Sequence, residues 1–282
     1  MAPHLQVMQP LKDAITRQVV GMFNDRQRGE RPVVRSAEAL FPPHAVIRRV
    51  HGDVTSMLVG GIAALLLQML HPGALAGVWD HSNFRKDMSG RLRRTARFIA
   101  TTTYADRASA EAAIARVQAI HERVQGTLPD GTPYRATDPH LLAWVHVTEA
   151  ASFLKAYIRY VEPGMSGADQ DRYYAEFALV AEKLGADPVP RSRAEAEALI
   201  AAMRPELVAD ERARTVAKFL LGQSPSSLAL APFQMMALEA GVDLLPGWAR
   251  RMHGFATVSL QRPLVRAGTF GMARTLRWAF AR

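Results

Sequence analysis

The run from Val54 to Leu70 constrains the fold more than any other stretch of the chain. It is apolar almost throughout and is interrupted only by Gly60-Gly61 and Gln68. It falls just short of a comfortable membrane span, and His71-Pro72 follows at once. The run therefore reads as a fully buried core helix. Asp53 stands where an N-cap is needed.

The rest of the chain carries helix punctuation. A first helix is expected over Gln9–Arg28, followed by a loop that Pro42-Pro43 closes. Asp87 or Ser89 can cap a helix over Arg91–Thr102. Asp106 or Ser109 opens another that stops at Gly126. Pro129-Asp130-Gly131 is a turn signal. Asp138-Pro139 is a strong start, with a side-chain cap and proline at the first position, for a helix reaching about Val161. Further helices are expected over Asp169–Leu184, from Ser192 with Glu195 at capping-box spacing, and over Pro205–Leu221, Leu228–Ala240, Pro246–Met252 and Phe255–Ala281, the last kinked at Pro263. No stretch alternates with period two for long. The expectation is an all-α fold: residues 1–50 as a leader with one helix, and 51–282 as one globular multi-helix domain.

A chain of 282 residues, 49% hydrophobic and 22% charged, has ordinary globular composition. It contains no cysteine, which excludes disulfides, zinc–thiolate sites, iron–sulfur clusters, cysteine nucleophiles and thiolate-ligated haem. The N-terminal Met1-Ala2-Pro3-His4-Leu5 lacks a secretory pattern, so a cytoplasmic location is expected. The net charge of +9 suits an acidic partner, a phosphate or an anionic lipid surface. Arginines and aromatics do not interleave as a nucleic-acid platform requires, so no nucleic-acid partner is expected.

Four constellations carry candidate chemistry. Ala110, Ile114, Val117, His121 and Val124 form one apolar stripe, so His121 points toward the core, as a satisfied core histidine or as a metal or haem ligand. Gln125 stands where a zinc-protease motif needs a second histidine. Gln118 and Ala143 deny His121 and His146 the glutamate partners of a di-iron site. On the following motif, Arg91, Arg94 and Thr95 share a helix face, while Arg93 and Arg97 point elsewhere. That face is either solvated or aimed at carboxylates. A third segment, His71 to Phe84, reads as a small-residue loop carrying His71 and His81, which is a helix stop or a place where backbone approaches a ligand. Finally, His146 and Glu149 lie one turn apart on an apolar helix, as a structural hydrogen bond or a proton relay.

Taken together, these segments resemble the MpaB and latex-clearing-protein family of haem oxygenases. The resemblance rests on Leu67-Gln68-Met69-Leu70-His71-Pro72, His81-Ser82-x-Phe84 with Asp87, Arg91-Leu92-x-Arg94-Thr95, Val117 through His121 to Gly126, Pro129-Asp130-Gly131-x-x-Tyr134, and Asp138-Pro139-x-Leu141-Leu142-x-Trp144-Val145-His146. Their order and spacing run from about Val54 to Tyr160. The resemblance implies an internal pocket for non-covalent haem b. His121 would be the proximal iron ligand and Arg91, Thr95 and His146 would be further cofactor contacts. Arg91, Arg94, Thr95, His71 and His81 would be the catalytic set. Arg94 replaces a distal lysine of latex-clearing proteins, and a guanidinium stays protonated and cannot ligate iron. The implied chemistry is oxidation or cleavage of a hydrophobic, isoprenoid- or lipid-like small molecule by O₂.

A different function class uses the same helices: a non-catalytic protein binding an apolar ligand. Peripheral membrane contact is a third reading. It rests on Arg262, Arg266, Arg274, Arg277 and Arg282 interleaved with Leu264, Phe270, Leu276, Trp278 and Phe280.

Overall fold

The buried run forms the central helix of the molecule. A computed structural model describes residues 4–24, 29–225, 231–256 and 261–281. In chain order its helices are α1 (His4–Phe23), α2 (Val46–Val50), α3 (Val54–Gln68), α4 (Pro72–His81), α5 (Met88–Tyr104) and α6 (Arg107–His121). A hairpin of β1 (Gln125–Thr127) and β2 (Pro133–Arg135) follows. Then come α7 (Pro139–Tyr160), α8 (Gly167–Leu184), α9 (Arg193–Met203), α10 (Glu211–Leu221), α11 (Ala231–Leu244), α12 (Gly247–His253) and α13 (Arg262–Phe280). Thirteen helices against two three-residue strands, among the described residues, make the fold all-α.

Ten of the fifteen residues of α3 are buried, on every side of the helix. Burying each of Leu65, Leu66 and Leu67 stabilises the fold by roughly 2 kcal/mol. The glycines in α3 and α11 mark close approaches. A Cβ on Gly60 would stand 2.8 Å from Phe153 Cδ1 and 2.9 Å from Phe153 Cα, so α3 and α7 meet backbone to backbone. A Cβ on Gly241 would overlap Ile62, and α11 closes on α3 in the same way. Leu40, Phe41, Ile47 and Val50, which the sequence reading assigns to the leader, belong to this same core. No single helix among the described residues is long and apolar enough to cross a membrane. Together α3 and α4 would be, but they are bent by 104°.

Side-chain caps set the helix starts. Asp53, Asp87, Asp106, Asp138 and Asp210 each accept a backbone N–H at the head of α3, α5, α6, α7 and α10. Ser166 and Ser192 do the same for α8 and α9, and Gly185 ends α8 with a φ of 95°.

Several expectations are corrected. The segment after His71 is a helix, not a loop: Pro72 occupies the first position, and the Gly73 N–H donates to His71 Nδ1 at 3.1 Å. Helix α6 ends at His121 rather than at Gly126, which lies in β1. Glycine is needed there because Tyr134 lies across it; a Cβ would be 2.8 Å from Tyr134 Oη. The expected helix over 205–221 is broken, because the Val208 N–H donates to Leu70 O at 2.8 Å and pins the chain to the end of α3. Pro263 sits at the start of α13, where its missing N–H costs nothing, and produces no kink. Parts of three expected helices (residues 25–28, 228–230 and 257–260) and Arg282 lie outside the described residues.

Candidate active site

One cavity lies between α3 and α5, with a volume of about 420 Å³. That size suits a small organic ligand. Met57, Leu58, Leu65, Leu92, Ile99 and Phe153 give it an apolar wall. Four polar groups matter on that wall: Arg91 and Thr95 from α5, Glu149 from α7, and His51 at the end of α2.

The Arg91 side chain is mostly buried and makes no hydrogen bond or ion pair among the described residues. Burial, with the neighbouring Arg94 charge, pushes its pKa down to about 10. A guanidinium desolvated without a carboxylate is costly unless a bound anion completes it. The Thr95 hydroxyl, one turn on, donates to Arg91 O at 3.3 Å.

Glu149 also has no hydrogen-bond or ion-pair partner among the described residues. Burial pushes its carboxyl up to about 7, where a carboxyl can both give and take a proton near neutrality. The expected hydrogen bond between His146 and Glu149 does not form. His146 instead stands edge-on to Phe177, with Nε2 buried and unpartnered, and burial lowers its pKa to about 4.

Sequence reasoning missed His51. Its Nδ1 lies 2.9 Å from Thr103 Oγ1 and its Nε2 3.0 Å from Tyr173 Oη. A neutral ring has one donor and one acceptor nitrogen, and both are used here. Burial, then the nearby His146, pushes its pKa down to about 3. The position of His51 just before the Asp53 cap of the buried helix was the available signal.

The structure separates the remaining sequence-predicted residues from this cavity. His121 ends α6, a helix with only Ala110 and Ile114 buried. It is half-buried, lines no part of the cavity, and leaves Nδ1 buried without a partner. Arg94 is exposed, 3.6 Å from Asp87, while Arg93 and Arg97, expected to point elsewhere, line the cavity. His71 is the α4 cap, with Nε2 3.4 Å from Glu206 Oε2. His81 is exposed and donates from Nε2 to Gln125 O at 3.1 Å, while Tyr134 donates to Asp80 at 2.6 Å. Those two bonds tie the hairpin to α4. Of the C-terminal arginines, Arg262 and Arg266 turn inward to Asp243 and Arg277 to Asp53, which leaves Arg274 at the surface.

A haem makes two demands, anion-binding groups for its carboxylates and an imidazole for its iron. Arg91 meets the first on the cavity wall. For the second, both nitrogens of the wall histidine, His51, are engaged, and the unpartnered nitrogens of His121 and His146 lie off the wall. Three of the four cofactor contacts named from the resemblance thus carry polar groups that the protein alone leaves unsatisfied. The residues fit the group at its carboxylate end, and the imidazoles with an unpartnered nitrogen lie off the wall.

A family model described as "ER-bound oxygenase mpaB/B'/Rubber oxygenase, catalytic domain" matches residues 48–278. No curated protein and no solved structure matches the chain. The match starts within α2 and ends within α13, so it takes in the cavity walls formed by α3, α5, α7 and α11, while Asn24, Pro32, Val33 and Arg35, which also line the cavity, precede it.

Proposed function

Since the chain belongs to the mpaB/rubber oxygenase catalytic-domain family and is an oxidoreductase of the oxygenase class, we propose that it uses haem b, bound non-covalently at the α3–α5 cavity, to oxidise a hydrophobic, isoprenoid- or lipid-like small molecule with O₂. The observation that carries this reading is Arg91, a mostly buried guanidinium on the cavity wall without a partner among the described residues. In this reading Arg91 would hold a haem carboxylate with Thr95 beside it, and His121, which lies off the cavity wall, would supply the iron ligand that the resemblance implies. Haem supplies the activation of O₂.

The chain's own residues do the rest. The α3 and α5 side chains give the cavity most of its apolar surface. Glu149 holds a proton at its carboxyl close to neutral pH and releases it within the same apolar space. The Tyr173 and Thr103 hydroxyls fix the His51 ring, so it serves as a rigid polar point on the wall.

The test is an absorption spectrum of the protein purified after growth with a haem precursor. The expected result is a Soret band at one haem per chain, weakened haem retention in Arg91→Ala, and a changed ferric spectrum in His121→Ala. A folded protein that takes up no haemin removes the cofactor assignment. An unchanged spectrum in His121→Ala together with a changed one in His146→Ala moves the iron ligand to His146.

A further inference from the structure

Asp243, near the end of α11, is held by more positive charge than it can neutralise. Its side chain is only 4% exposed. Arg159 Nη1 of α7 lies 2.9 Å from Oδ2, and Arg266 Nε of α13 lies 2.7 Å from the same oxygen. Arg262 contacts Oδ1. Arg250 of α12 reaches to 3.8 Å from Oδ1 and donates to Asp243 O at 3.2 Å. Lys155 stands one turn before Arg159 on α7. Five cations thus gather around one carboxylate. Glu239, one turn back on α11, is exposed and pairs with none of them.

The sequence offers no other neutralisation on this side. From residue 244 to 282 the chain has seven arginines and no acidic residue. Two buried donors within the cluster also lack acceptors, Arg250 Nε and the hydroxyl of Tyr160. Burial, then the charges of Arg159 and Arg250, lowers the Lys155 pKa to about 8. Like charges crowded in this way are costly, and a bound anion relieves the cost. The cluster meets solvent through Arg266, whose side chain is 45% exposed, and through Lys155.

We propose that Lys155, Arg159, Arg262 and Arg266 form a second ligand site, separate from the cavity, that takes a phosphate monoester. A tetrahedral dianion offers several acceptor oxygens to forked guanidinium donors and one to an ammonium, which a single carboxylate cannot match. The phosphate can come from a soluble ester or from a lipid headgroup. The site stands on Asp243 and its arginines and does not depend on the oxygenase reading.

The experiment uses the full chain. Inorganic phosphate is titrated by calorimetry, and thermal unfolding is compared in phosphate and in sodium chloride at equal ionic strength. Binding to phosphatidylcholine vesicles, with and without phosphatidic acid, is measured by co-sedimentation. The expected result is one saturable phosphate site, weakened at least tenfold in Lys155→Gln and in Arg266→Gln. Lys155→Gln leaves every Asp243 ion pair intact and so keeps the test valid if Arg266→Gln misfolds. Phosphatidic-acid vesicles bound more tightly than inorganic phosphate, with the same dependence on Lys155, identify a headgroup. Weak vesicle binding beside tight phosphate binding identifies a soluble ester. Equal effects of phosphate and chloride, with vesicle binding unchanged in Lys155→Gln, overturn the site.

Discussion

Replacing Glu149 by glutamine keeps the size of the side chain and removes its ionisation. In the folded protein the carboxyl keeps its proton up to about pH 7, whereas in the unfolded chain it loses it near the ordinary value of 4.5. Between these values the folded state binds more protons than the unfolded one. Its stability therefore falls as pH rises through that window, and the full loss is present above pH 7. At ~1.4 kcal/mol for each pH unit of the window, the penalty reaches about 3 kcal/mol. Glu149→Gln should match the wild type in stability near pH 4. It should exceed it progressively, by up to about 3 kcal/mol, near pH 8. Urea titrations at pH 4, 5, 6, 7 and 8, with slopes compared to confirm two-state behaviour, measure the difference directly. A difference that stays constant with pH refutes the reasoning. A wild type more stable than the variant at pH 8 refutes it more sharply, because the carboxylate would then be ion-paired, with Arg91 a candidate partner on the same wall.

Gly60→Ala tests the α3–α7 contact. Alanine in a free helix gains about 1 kcal/mol over glycine, but here its methyl meets the Phe153 backbone at 2.9 Å, so the variant should lose about 1–3 kcal/mol in chemical denaturation. The two buried histidines predict acid lability. His51 and His146 take up protons in the folded state only near pH 3 and 4, against 6.5 in the unfolded chain. Their contribution to stability should be level above about pH 6.5 and fall as pH drops through that window, opposite in sign to that of Glu149. His146→Gln should flatten the fall by up to about 3 kcal/mol, measured as unfolding free energy against pH.

The fold was largely legible because its determinants are local. The run after Asp53, the Asp138-Pro139 start and Gly185 each state a helix boundary in a few residues, and each boundary forms within a residue or two of its expected place. The site was less legible because cavities are made between helices. Periodicity puts Ala110, Ile114 and His121 on one stripe, but it cannot say that the stripe thins toward the surface at the end of α6. It also cannot say that α5 turns Arg91 and Thr95 toward α3 while Arg94 faces solvent. His51 escaped notice because its partners, Thr103 and Tyr173, lie far along the chain. The Asp243 cluster did leave a trace, a lone acid in the apolar Gly241-Val242-Asp243-Leu244-Leu245 with arginines four apart at Arg262 and Arg266.

The aspartate caps have a consequence for encounter rates. Five carboxylates sit against helix N-termini, where the backbone dipole already opposes their charge. The dipole carries no net charge, so this cancellation is local, and the far field of the molecule still follows its net charge of +9. An anionic solute that comes within a Debye length, about 8 Å at physiological salt, is steered inward, and its association slows as salt is added. A neutral hydrocarbon feels none of this. Comparing association rates of charged and uncharged ligands across ionic strength would therefore separate solutes the protein collects by long-range attraction from those it meets by diffusion alone.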